Sequence, residues 1–419
     1  MKKLGLYVGI LLLSYNTSAQ VNEETVTIGQ GYQNQAFYSL ANGEISQNDK
    51  NNWDLAFEAY SFGAGIRIND AKGLKLWRYP NADNSAFGTS LDTTGISNWS
   101  QLINSDEFWE IGAFNKTANP NNQFDLGWGT YNTTTHVITG DSLFILEKSN
   151  GDLIQIDIQN ISSGAFNFRY ADLDGQNIEN NAVLKSEFSG KIFGYFNLDS
   201  GQTLDLEPLS SKWELLFTSY VTYLGPNMPY GVTGVLSNAG VEVAKVENVA
   251  NTTTFNDWSS SIFKEEINTI GYNWKSLNYQ TFQFEVDDSL VYFVKSKQDE
   301  IWKIVFTGFG GSANGNYEFT TELMSTASLS NHKKNDTKFT VYPNPVQSEN
   351  ITIVYDLPSN ENAELFITDI SGKIVHREAF NAIEGLTTKQ IQLANLKPGI
   401  YMVNLKLNNG VLTQKLIKQ

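Results

Sequence analysis

The first 330 residues contain one pattern twice, and a repeat of this length points to a fold built from two similar pieces. Phe37-Tyr38-Ser39-Leu40 followed by Gly43 is answered by Tyr195-Phe196-Asn197-Leu198 followed by Gly201. Trp53-Asp54-Leu55-Ala56-Phe57 with Tyr60 returns as Trp213-Glu214-Leu215-Leu216-Phe217 with Tyr220. Further on, Asp141-Ser142-Leu143 with Lys148-Ser149 returns as Asp288-Ser289-Leu290 with Lys295-Ser296, and Gly164 to Phe168 as Gly315 to Phe319. The order of blocks is the same in both, which predicts tandem copies over residues 20 to 182 and 183 to 328.

Within each copy the apolar period is two. Ile156 and Ile158 alternate with polar residues in the first, as do Ile304 and Phe306 in the second, so the segments read as strands. Turn signals such as Ala41-Asn42-Gly43 and Ser149-Asn150-Gly151 separate them at hairpin distances, which predicts meandering antiparallel sheets. Minor helix is expected near Trp99 to Leu102 and Ser259 to Ile270. Residues 329 to 338 are polar and read as a linker. Beyond it, Ile351 to Tyr355, Leu365 to Ile367, and Ile400 to Leu407 with Val411 to Ile417 predict a small β-sandwich over 339 to 419, with turns at Ser371-Gly372 and Asn408-Asn409-Gly410.

At the N-terminus, Lys2 and Lys3 precede the apolar run Leu4 to Leu13, and Thr17, Ser18 and Ala19 supply small residues for cleavage. This predicts a signal peptide over residues 1 to 19 and a mature chain from Gln20. No later run approaches the ~20 apolar residues of a membrane-spanning helix, so no transmembrane segment is expected. The net charge of −16 disfavours nucleic acid as a partner, and the absence of cysteine excludes disulfides, thiolate metal sites and a lipid-bearing N-terminal cysteine.

The C-terminal blocks are Tyr342-Pro343-Asn344-Pro345-Val346, Thr368-Asp369-Ile370-Ser371-Gly372-Lys373, Leu396-Lys397-Pro398-Gly399-Ile400-Tyr401 and Lys415-Leu416-Ile417-Lys418. In this order they resemble the type A sorting domain of the type IX secretion system. The resemblance implies passage across the outer membrane, then release or surface attachment, with the secretion machinery as a partner.

The repeated part resembles the HmuY-like haem-binding family. The resemblance is carried by aromatic-x-x-Leu-x-x-Gly, by Trp-Asp/Glu-Leu-x-Phe and by the later Asp-Ser-Leu strand. It implies a β-rich fold that holds porphyrin in a cleft between loops. The single-copy members have one domain and a lipid-anchoring cysteine; this chain has two copies and no cysteine. Haem iron needs axial donors such as His, Met or Tyr. His332 falls in the linker and His376 in the sorting module, which leaves His136. Where haem-ligating relatives place a histidine shortly after a Trp, the residues after Trp128 and Trp274 are Asn132 and Asn278. Met228, in Gly225-Pro226-Asn227-Met228-Pro229-Tyr230, is an exposed soft donor. Tyr131 and Tyr279 lie beside the family position, where half-buried strand tyrosines are the ordinary expectation. The candidate haem ligands are thus Met228, His136, Tyr279 and Tyr131.

Catalytic chemistry is hard to assemble from this sequence. One histidine in the repeated part makes a serine–histidine pairing improbable, and no nucleophile elbow is present. Asp287-Asp288 and Glu265-Glu266 are adjacent pairs, which point to opposite faces of a strand. Gly308 to Ala313 reads as a hairpin loop and Asp172 to Gly175 as a turn. Trp53, Phe57, Trp213 and Phe217 read as core residues of each copy. The sequence therefore predicts an all-β, non-enzymatic, secreted or surface-attached binding protein. Haem or porphyrin is the sharper ligand expectation, and an adhesin or glycan binder that has lost haem chemistry is the alternative.

Overall fold

A computed structural model describes residues 20–225, 228–325, 338–346, 348–357, 360–369, 373–393, 396–407 and 410–418. The expected signal peptide, almost all of the expected linker, and the turns at Ser371-Gly372 and Asn408-Asn409 lie outside the described residues. The chain divides into two compact units, Met1–Thr326 and Ala327–Gln419.

The first unit stacks four sheets. An outer seven-stranded sheet carries Leu143–Glu147, Leu153–Ser162 and Ala165–Asp172. An inner four-stranded sheet runs Gln202–Leu204, Phe193–Asn197, Leu55–Glu58, Ile66–Ile68, and a second runs Pro229–Ser237, Leu215–Tyr223, Asn34–Ser39, Gly43–Asp49. An outer five-stranded sheet holds Val21–Thr27, Asn316–Ser325, Ile301–Phe309, Val291–Lys295 and Glu242–Val246. Alternation along each strand builds the layers. Leu55 and Phe57 face Phe144, Leu146 and Phe166 of the seven-stranded sheet, while Ala56 between them packs with Leu216 and Phe37 of the other inner sheet. Leu215 and Phe217 in turn face Tyr292, Ile304 and Phe319.

Strand pairing crosses the 182/183 point of the sequence in both directions. Phe37 and Tyr38 pair with Leu216 and Leu215, and Phe196 and Tyr195 pair with Leu55 and Ala56. The amide of Glu214 donates to Tyr38 O and that of Asp54 to Phe196 O, both at 2.9 Å. The two Trp-acid-Leu segments are braced alike. Asn69 Nδ2 donates to Lys50 O at 2.6 Å and Trp53 O at 3.0 Å, and Asn238 Nδ2 to Ser210 O at 2.8 Å and Trp213 O at 2.6 Å. Gly43 and Gly201 recur because their turns require φ of 80° and 65°, which glycine adopts without strain.

Helix is nearly absent from the described residues. The short helix expected near Trp99 to Leu102 is one 3-10 turn, Ile96–Asn98, that ends at Trp99, and the stretch expected at Ser259 to Ile270 is irregular coil instead. The second is held by strand-like bonds, with Lys264 and Val243 exchanging amides at 2.9 Å, and Phe263 covers the outer face of the five-stranded sheet beside Val291 and Phe293. Packing of that apolar cover outweighs local preference. The one α-helix is Gly311–Asn314, a single turn inside the hairpin joining Ile301–Phe309 to Asn316–Ser325, where a hairpin loop was expected. Asp172 and Gly175 form the expected turn, with Gly175 N donating to Asp172 O at 2.9 Å.

The second unit, taken by itself, has a three-stranded sheet, Lys338–Tyr342, Asn350–Leu357, Gly385–Gln392, and a four-stranded one, Ile374–Ala382, Glu361–Asp369, Gly399–Leu407, Gly410–Lys418. Ile351, Ile353 and Tyr355 of the first share one core with Leu365, Ile367, Val403 and Leu405 of the second.

Candidate functional site

The candidate donors stand on three hairpins, the first of them an edge of the seven-stranded sheet. Gly129–Tyr131 and Ile138–Gly140 form the first hairpin. Its loop is organised by Asn132, whose Oδ1 accepts from Thr134 N at 2.8 Å and Thr135 N at 3.0 Å, while His136 N donates to Asn132 O at 2.8 Å. His136 closes the loop at φ 57°, a left-handed conformation uncommon outside glycine and asparagine. The Tyr131 hydroxyl lies 2.8 Å from His136 Nδ1, and the Tyr131 ring packs on Phe124 at 6.1 Å between centroids.

Lys275–Asn278 and Gln283–Val286 form a second hairpin with the same loop. Asn278 Oδ1 accepts from Gln280 N at 2.9 Å and Thr281 N at 3.2 Å, and Phe282 N donates to Asn278 O at 2.8 Å with Phe282 at φ 56°. The asparagines found where relatives place a histidine therefore build the loop, because their side chains satisfy the turn amides. The side chain at the left-handed position is His136 in one hairpin and Phe282 in the other. Sequence reading missed this equivalence, although Asn four residues after a Trp, with a ring four residues further on, was its signal.

Tyr279 is not the half-buried strand residue expected: it lies in the loop and is 80% exposed, beside Phe282 at 78%. Tyr131 is a half-buried strand residue as expected.

A third hairpin, Leu215–Tyr223 with Pro229–Ser237, carries Met228. The neighbouring strand pairs only with Leu215 to Phe217, so the outer part continues as a two-stranded ribbon. Met228 is 54% exposed at its tip, and Tyr223, Leu224 and Tyr230 are exposed around it. Leu224 N donates to Met228 O at 3.1 Å, closing the tip, and Thr222 Oγ1 donates to Asp106 Oδ2 at 2.6 Å, fixing the ribbon to the body. Burial, with Asp106 contributing, raises the Tyr223 phenol above its ordinary range.

Of the four candidates, the structure brings Tyr131 and His136 together, whereas Met228 and Tyr279 occupy separate hairpins. Two cavities of the first unit, one of about 570 Å3 bordered by Arg78, Tyr79 and Trp99 and one of about 60 Å3 between the inner sheets, are lined by none of the four. Among the described residues no group of three or more His, Cys, Asp or Glu could hold a metal ion. Phe57, Trp213 and Phe217 are buried in the cores, and Trp53 packs partly buried against Tyr195 at 5.2 Å. No helix among the described residues is long and apolar enough to cross a membrane.

Comparison with known proteins gives two family matches. The HmuY protein family matches residues 31–321, running through the 182/183 point as one region, and the secretion system C-terminal sorting domain matches residues 340–419. No curated protein matches the chain. Among solved structures, dimeric latent PorU from Porphyromonas gingivalis is 9% identical with a TM-score of 0.19, over 67% of this chain and 31% of that one. The trimeric ectodomain of the C. elegans fusion protein EFF-1 is 8% identical with a TM-score of 0.17, over 66% of each chain. Scores this low carry no argument about fold. The chain spans about a third of the PorU structure.

Proposed function

The chain belongs to the HmuY family, and from that premise we propose that it binds porphyrin through its hairpin tips rather than in its core. Both matched families are non-catalytic: the chain is a non-enzymatic binding protein, exported to the cell surface or beyond by the type IX system through its sorting domain. The single observation that carries the hairpin assignment is that Met228, His136, Tyr279 and Tyr131 all lie at or beside exposed hairpin tips, outside the layered cores.

Haem suits this donor set on one condition. The donors that hold the iron would have to come from more than one hairpin. Tyr131 and His136, which share a hairpin and a hydrogen bond, would hold it from one, and the Met228 thioether or the Tyr279 phenol would hold it from another. Bound haem would supply iron-centred ligand binding. The chain's own residues hold the ring, with Tyr230 and Phe282 as exposed aromatic surface. Titration of the mature chain with haemin tests this reading.

A glycan is the second ligand class. It is favoured by Tyr279 and Phe282 being exposed beside the polar side chains of Asn278, Gln280 and Thr281, a mixture suited to stacking on sugar rings. Binding on a glycan array with no haemin response would select it.

The two sequence copies are read as halves of one intertwined body, each lending its first hairpin to the other's inner sheet. The crossed strand pairings and the single family match over 31–321 support that reading.

A further inference from the structure

The larger of the two cavities, about 570 Å3, lies at an edge of the seven-stranded sheet and falls within the ~300–1,000 Å3 span of small-molecule sites. Three stretches of chain build it. Lys75–Arg78 is a strand of that sheet, paired with Leu143–Glu147, and residues 79 to 83 continue from its end. The stretch from Trp99 to Leu102 is held beside the strand by Leu102 N, which donates to Leu76 O at 2.8 Å. Thr117 belongs to the third stretch and is fixed by its Oγ1, which donates to Gly127 O at 3.0 Å.

The aromatic part of the wall is set by packing. Tyr79 is buried, and its ring meets that of Trp99 edge-on, with centroids 5.9 Å apart and planes at 68°. Both rings belong to the cluster of Phe87, Leu91 and Leu143, and Trp99 N donates to Ile96 O at 3.0 Å. Trp99 is thus a partly buried wall held in place and not a free surface side chain.

The polar part carries one charge of each sign. Arg78 is exposed and forms no ion pair or hydrogen bond with a described residue, so its planar donor fork is unused. Asp83 Oδ1 accepts from Ser85 N at 2.9 Å, and hydrogen bonds from Ser85 hold the carboxyl below its ordinary range, so it stands ionised with acceptor capacity left over. Asn81, Ser100 and Thr117 add neutral donors and acceptors.

This wall selects by chemistry. A charged ligand meets a like charge together with an opposite one, and an apolar ligand strips water from Arg78 and Asp83 without replacing it. A neutral sugar does neither: its hydroxyls both donate and accept, and the apolar C–H face of a pyranose suits an aromatic ring. The volume accommodates about one or two such rings.

We infer that this cavity is a saccharide site for neutral pyranoses, with a sugar ring against Trp99, hydroxyls accepting from Arg78 and hydroxyls donating to Asp83. None of the four hairpin donors lines it, so the inference stands apart from whatever the hairpin tips bind.

The test is an array of neutral mono-, di- and trisaccharides of glucose, mannose, galactose and N-acetylglucosamine, probed with the full mature chain and followed by calorimetric titration with the sugar retained most strongly. Retention of at least one is expected, with affinity falling about tenfold or more in Trp99→Ala and in Arg78→Ala. Arg78 is exposed, so its replacement leaves the packing of the cores intact. Retention of none of these sugars by the unaltered chain would overturn the inference. So would a retained sugar whose affinity is unchanged in folded Arg78→Ala and Trp99→Ala chains, which would move sugar binding to the Tyr279 hairpin.

Discussion

The backbone amide of Leu40 donates to Glu214 Oε2 at 2.8 Å, across 174 residues of sequence. Its counterpart is the amide of Leu198, which donates to Asp54 Oδ2 at the same distance. Each acid follows a Trp, Trp213 or Trp53, and each receives the amide of the Leu that follows a paired aromatic strand. Both carboxylates are buried, at 7% and 3% exposure, so the bonds are shielded from water.

Removing either acceptor leaves a buried amide unsatisfied. Glu214→Ala and Asp54→Ala should each destabilise the first unit by about 1–3 kcal/mol, whereas Glu214→Gln, which keeps an acceptor oxygen, should cost less. Urea denaturation of the purified chain checks this. A Glu214→Ala chain as stable as the parent would remove the bond from the account.

Because Phe37 and Tyr38 pair with Leu216 and Leu215 while Phe196 and Tyr195 pair with Leu55 and Ala56, residues 20 to 182 expressed alone should not give a cooperative unfolding transition. Co-expression with residues 183 to 328 should restore one. Two independently cooperative fragments would show that the crossed pairing is dispensable.

Glu207 and two lysines give the first unit a pH signature. Burial raises Glu207 to about 8, against Ile192 and Phe193 amides that pull it down. Its contribution is full below the unfolded value of about 4.5 and is lost as pH rises toward 8. Burial lowers Lys275 to about 7 and Lys185 to about 8. Their unfolded forms hold protons up to about 10.4, so stability recovers as pH climbs from 7 toward 10. The expected curve falls from pH 5 and rises again above about 8. Glu207→Gln should flatten the acid limb and Lys275→Met the alkaline one. Stability independent of pH over this range in the parent chain would contradict the assignment.

Deleting Phe339 to Gln419 removes the sorting domain while leaving the first unit's cores untouched. Cell fractionation should then find folded protein retained in the periplasm. Continued arrival at the surface would refute export through this domain.

Much of this was legible in the sequence because burial writes a periodic signal. The Phe37/Tyr195 and Trp53/Trp213 correspondences, the strand at Ile156 and Ile158, and the exposure of Met228 were all readable from spacing. Which partner each hairpin chose was not, since an alternating strand fits either copy's sheet equally well. The run Leu143 to Leu146 gave no alternation because both faces are covered: Leu143 and Ile145 by Tyr79, Phe87 and Leu91, Phe144 and Leu146 by the inner sheet. The Ser259 to Ile270 segment misled for a related reason, its apolar residues being spaced by the surface they cover. The cavity between the inner sheets was invisible, because its lining converges from residues as distant as Gln35 and Leu236.

The most direct test of the central claim is titration of haemin into the mature chain, followed in the Soret and visible bands, oxidised and reduced. Saturable binding with sharp reduced bands, altered by Met228→Ala or His136→Ala with the protein still folded, is the predicted result. No saturable shift in the unaltered chain would contradict porphyrin binding at the hairpins.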